Sequence, residues 1–87
     1  MPRLSAFYGI VITMYYDEDH PVPHFHARYA GQSASYAIDG CRHLAGRLPD
    51  RAQRLVRAWA LLHTAELHQA WNRARAEEPL GTIEPLP

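Results

Sequence analysis

The sequence predicts an α+β domain, with an antiparallel sheet in the first half and helices in the second. Three observations predict it. Residues 7–16, 24–30 and 33–39 are rich in β-branched and aromatic side chains, and the second and third runs alternate apolar with polar positions. Ala30-Gly31-Gln32 lies between those two runs as a hairpin turn, because Gly31 can take a positive φ. From Ala52 to Ala74 the apolar residues keep a helical period of about 3.6, with no glycine or proline before Pro79.

Each element has its own warrant. Phe7 to Tyr16 is apolar on both faces and reads as one central strand. Residues 17–23 are polar and carry Pro21 and Pro23, so they read as a stiff loop. In the strand that follows, Phe25, Ala27 and Tyr29 share one face, while His24, His26 and Arg28 share the other. Ala34, Tyr36 and Ile38 face inward on the next strand, and residues 42–45 offer a fourth between Gly40 and Gly46. The sheet therefore has three strands, or four if 42–45 pairs as well.

Pro49 opens a helix, with Asp50 near the positive end of its dipole. The helical half is either one long helix or two, about 50–63 and 65–77, with Thr64 as the cap at the break. Leu55, Val56, Trp59, Leu62, Leu67 and Trp71 are expected to pack on the apolar sheet face. The His24, His26 and Arg28 face is expected to be open to solvent or to a partner. Residues 79–87 read as an extended tail anchored by Leu80, Ile83 and Leu86.

Composition narrows the classes of function. A chain of 87 residues is one small domain, 1–87, with little spare stability, so a homodimer that buries more surface is a live option. The lone Cys41 excludes an internal disulfide and suits a reducing cytoplasm. The N-terminus lacks a signal-like apolar core, and Phe7–Tyr16 is too short to span a bilayer, so a cytoplasmic protein with no membrane partner is expected. Net charge is zero, and every basic residue is arginine. No lysine amine is therefore available as a base or Schiff-base former. Arg47, Arg51, Arg54 and Arg57 recur every three or four residues as a basic ridge. Such a ridge is usually a solvated helix face; it could also track RNA phosphates or meet an acidic partner.

The chemistry concentrates in His20-Pro21-Val22-Pro23-His24-Phe25-His26, which holds three of the six histidines. One reading is a divalent-metal site, zinc or nickel for example. His24 and His26 would aim from one strand face, with His20 as third ligand and Asp17 or Asp19 as a further one. A second is metal-free cleavage of RNA. There His24 and His26 would exchange protons with substrate while Arg28 held the phosphate. A third is non-catalytic: the histidines shape the entry to a hairpin in an interaction module. His63 is expected to be half-buried and bonded within the fold, with Glu66 one turn on, while His43 and His68 are expected on the surface.

Phe7-Tyr8-Gly9-Ile10, Met14-Tyr15, Asp19-His20, Pro23-His24-Phe25-His26, Gly46-Arg47-Leu48-Pro49 and the Trp59/His63/Glu66-Leu67/Trp71 register resemble the domain-of-unknown-function family 4160. Pro21-Val22-Pro23 departs from the family's usual Pro-Pro, and Ala58 and Ala70 replace the residues it usually sets before each tryptophan. The family has no established reaction. Its resemblance implies a gene arrangement similar to toxin–antitoxin pairs, and hence a small partner protein from an adjacent gene.

Overall fold

The computed structural model describes residues 2–87. It is α+β, with five antiparallel strands followed by two helices. The strands are β1 (Arg3–Phe7), β2 (Ile10–Thr13), β3 (His24–Tyr29), β4 (Gln32–Ala37) and β5 (His43–Gly46), and they lie side by side in chain order. A single 3₁₀ turn at Asp39–Cys41 separates the last two.

The expected single strand over 7–16 is instead a hairpin. Tyr8 and Gly9 have φ of 50° and 81°, the paired positive values of a type I′ turn, and Phe7 pairs with Ile10. The fold therefore has five strands rather than three or four, and the strand offered at 42–45 is the last of them, over His43–Gly46. Ala30 and Gly31 turn the β3–β4 hairpin in the same way, with φ of 49° and 80°. Its register sets Phe25 opposite Tyr36, His26 opposite Ser35 and Arg28 opposite Ser33.

The helical half divides into α1 (Asp50–Leu62) and α2 (Thr64–Arg75). His63 leaves helical geometry at φ −121° and ψ 26°. Thr64, expected as the cap, does not cap the second helix; its hydroxyl donates back to the Ala60 carbonyl at 3.1 Å. Leu62 was expected in the core and is 68% exposed, because the stripe loses its phase where the helix breaks one residue later.

The rest of the stripe is buried or half-buried, but Trp71, expected on the apolar sheet face, stands against Tyr16 and His24 instead. Trp59 is fully buried, 5.5 Å from Phe7 and 5.9 Å from Phe25 between ring centres, and Phe25 stacks on Tyr36. Its indole N–H donates to the Glu84 carbonyl at 2.8 Å, so the largest core side chain leaves no polar atom unpaired. The tail reaches that carbonyl by running beside β1, where the Ile83 N–H donates to the Leu4 carbonyl at 2.7 Å. Leu80 and Ile83 are buried, and Leu86 packs partly buried against the core. Among the described residues, no helix is long and apolar enough to cross a membrane.

Two substitutions test this backbone. A Cβ at Gly46 would lie 2.2 Å from the Ser33 carbonyl oxygen, and the residue sits at φ +70°. Gly46→Ala is expected to cost at least about 2 kcal/mol in denaturant unfolding. Ala30 is an exposed alanine at positive φ before Gly31, a position that asparagine fills more easily. Ala30→Asn is expected to stabilise by roughly 0.5–1 kcal/mol.

Candidate functional site

The alternation of β3 sends Phe25 and Ala27 into the core and leaves His24 and His26 on the other face. Contrary to the expectation from the sequence, that face is largely closed. His24 is buried and His26 partly so; only Arg28 of the three is exposed. Tyr15 stacks on His26 with ring centres 5.0 Å apart and planes 10° from parallel. Trp71 of α2 stands 5.2 Å from His24. The loop before β3 folds back, so His20 comes within 6.5 Å of His24, measured between ring centres.

Together these parts enclose a cavity of about 490 Å³, lined by Tyr15, Asp19, His20, Pro21, Val22, His24, His26, Ser35, Leu44 and Ala45. The sheet register explains its floor, because His26, Ser35 and Ala45 form one row across β3, β4 and β5. Asp19 is the carboxylate in the wall, and no arginine lines it. Arg28 lies one row further along, opposite Val11 and Ser33.

Hydrogen bonds define the state of two imidazoles. His24 Nδ1 is 2.7 Å from the Val22 carbonyl oxygen. A carbonyl only accepts, so Nδ1 carries the proton, and in the neutral ring Nε2 keeps its lone pair. Pro21 and Pro23 hold that carbonyl in place by stiffening the loop on both sides of Val22. His20 Nδ1 likewise donates to Asp17 Oδ2 at 3.1 Å. The Asp19 N–H also donates to Asp17, and these two bonds hold the Asp17 carboxyl below its ordinary range.

His26 differs from both. Its Nε2 is buried and has no hydrogen-bond partner. Burial first, then the neighbouring His24 and His20, hold its pKa below the ordinary histidine value. Near neutral pH the ring is therefore uncharged. Ring centres of His24 and His26 are 5.1 Å apart. Two imidazoles ligating one tetrahedral ion through bonds of about 2.0–2.1 Å have centres roughly 5 Å apart. Among the described residues, no three His, Cys, Asp or Glu side chains are already grouped as a metal-binding set. His24 and His26 meet the spacing, while His20 stands wider.

The other sequence candidates lie elsewhere. Arg47, Arg51, Arg54 and Arg57 are all exposed. Arg54 and Arg57 share a shallow hollow with Asp50 and Gln53, and Arg57 donates to the Gly40 carbonyl at 3.0 Å. His63 is partly buried and bonded to Glu66 at 2.6 Å. His43 bonds the Gly46 carbonyl, and His68 bonds Asp39 across the fold. Burial pushes the Cys41 thiol up to about 11, so it is no thiolate at neutral pH. Sequence reading missed Tyr15 as a lid on His26 and Leu44 as a wall. Only the Met14-Tyr15-Tyr16 aromatic run before the acidic loop hinted at the former.

The fold and cavity define a small open-sheet α+β protein with a histidine pocket on the face away from its main core. A family model described as Domain of unknown function (DUF4160) matches residues 9–72, and the chain belongs to that family. The matched span contains every side chain that lines the cavity. No curated protein and no solved structure matches the chain.

The titration of His26 has a measurable sign. Its folded pKa lies below its unfolded value, so the unfolded chain binds the proton more readily. The stability this contributes is complete above about pH 6.5 and is lost as pH falls through the folded pKa. Thermal unfolding of the wild type is expected to drop in midpoint between pH 7 and pH 5, with a flatter profile in His26→Gln. Identical profiles for the two proteins would contradict a neutral, buried His26.

Proposed function

We propose that the protein binds a divalent transition-metal ion, zinc or nickel, through His24 and His26, as the chemical centre of a small toxin–antitoxin-like component. The observation that carries the metal reading is the bond from His24 Nδ1 to the Val22 carbonyl. It presents Nε2 as a lone pair in a fixed ring, which is how proteins orient imidazole ligands. The 5.1 Å spacing to His26, whose Nε2 is buried without a partner, supports the same reading. His20, oriented by Asp17, and Asp19 stand on the loop as the donors that would close over the ion. Charge in the wall also favours a cation: a carboxylate lines the cavity, and no arginine does. The two-component role rests on the family resemblance.

Metal-free RNA cleavage is the competing chemistry for the same pair. It needs a cation to stabilise phosphate, and the nearest on that strand is Arg28, outside the cavity wall.

Titration calorimetry of untagged protein with zinc and nickel is the direct test. One saturable site is expected, weakened at least roughly tenfold in His24→Gln and in His26→Gln, and less in His20→Ala. Affinity should fall below about pH 6.5, where imidazole protons compete with the metal. Absence of saturable binding by the wild type would sink the proposal. RNA cleavage that survives a chelator and needs both histidines would replace it. For the module role, growth arrest on expression, relieved by His26→Gln, is the expected result.

A further inference from the structure

We propose that β5 is a docking edge that takes up an extended acidic segment of another protein as a sixth strand. The two ends of the sheet are treated differently. Beyond β1 the tail lies alongside, held by the Ile83 N–H to the Leu4 carbonyl. Beyond β5 no strand follows among the described residues, and all four of its residues are exposed. Leu44 presents 38% of its surface to solvent. An uncovered strand edge offers N–H and carbonyl groups to any chain that can lie beside it, and here an incoming strand would displace the His43 imidazole from the Gly46 carbonyl.

Charge selects the occupant. Arg42 precedes β5 and Arg47 follows it, both exposed, and Arg51 and Arg54 extend the same sign onto α1. Asp50 is the single acid among residues 42–57. A second copy of this chain fits poorly. Antiparallel self-pairing centred on Leu44 and Ala45 would set Arg42 of each copy opposite Arg47 of the other. Like charges directly opposite destabilise a strand pair, whereas acidic residues there would turn both contacts favourable. The short length of β5 and the irregular register beside Ser35 and Tyr36 further restrain unselective pairing. The arginines thus repel copies and attract an acidic strand with the same charges.

Leu44 and Ala45 also wall the histidine cavity, so the docked strand lies along its rim. The proposal stands on the strand edge and the arginines, and it does not depend on metal binding.

The test uses a fluorescent ten-residue peptide alternating valine with glutamate, beside a valine–lysine control, on the full chain. Saturable binding of the glutamate peptide is expected, with slowed amide exchange in residues 43–46. Affinity should fall roughly fivefold or more in the Arg42→Glu/Arg47→Glu double variant and with added salt. Leu44→Pro, which blocks the edge without touching charge, should also weaken it. Equal binding of the lysine peptide, or no change in exchange at β5, would overturn the proposal. So would self-association abolished by Leu44→Pro, which would give the edge to a second copy. Single-stranded RNA that displaces the peptide without protecting β5 would give the arginines to nucleic acid and equally overturn it.

Discussion

β3 is the middle strand of the sheet, and its pleat divides residues 24–29 between two environments. Phe25 and Ala27 are held in the core by Tyr36 and Trp59, so the register cannot slip by one residue without burying His26 in that core. The same constraint places His24 and His26 on one face, 5.1 Å apart between ring centres. Core packing and site geometry are thus one decision made along six residues. A substitution that loosens Phe25 would disturb the histidines even though it never touches them.

The loop before β3 completes what the pleat begins. Pro21 and Pro23 flank Val22, whose carbonyl sets the tautomer of His24, and the Ile38 N–H donates to the Pro23 carbonyl at 3.0 Å. The loop is therefore tied both to the imidazole it orients and to the end of β4. Tyr15 then stacks on His26 and Trp71 stands against His24, which takes water away from the two rings. At His26 this burial disfavours the charged ring and suits one that offers its lone pair.

Much of this was readable in the chain. The β3–β4 hairpin announced itself through Gly31 between two alternating runs, and α1 through Pro49-Asp50 ahead of a periodic stripe. Tyr8-Gly9 hid its turn, because an aromatic β-former stands where asparagine or aspartate usually marks positive φ. The helix break was legible only as one of two alternatives, and it falls at His63, where that alternative set it. Thr64 was a candidate cap without an acid three residues on, and its hydroxyl bonds backwards to Ala60 instead of capping the second helix. At the site, alternation gave the His24–His26 pair. Burial of His24 was not legible, since Trp71 and Tyr15 reach it from elements distant in sequence or across a loop. Arg28 shares the strand face but not the cavity, because alternation assigns a face and says nothing of where a pocket ends.

His24 and His26 stand side by side, with a proton on His24 Nδ1 and an uncharged ring at His26. Long-range ¹H–¹⁵N correlation spectra of the metal-free protein at pH 7 report both tautomer and charge of each ring. A proton on Nδ1 of His24 and an uncharged ring for His26 are expected. An Nε2–H tautomer at His24, or a doubly protonated His26, would contradict this arrangement.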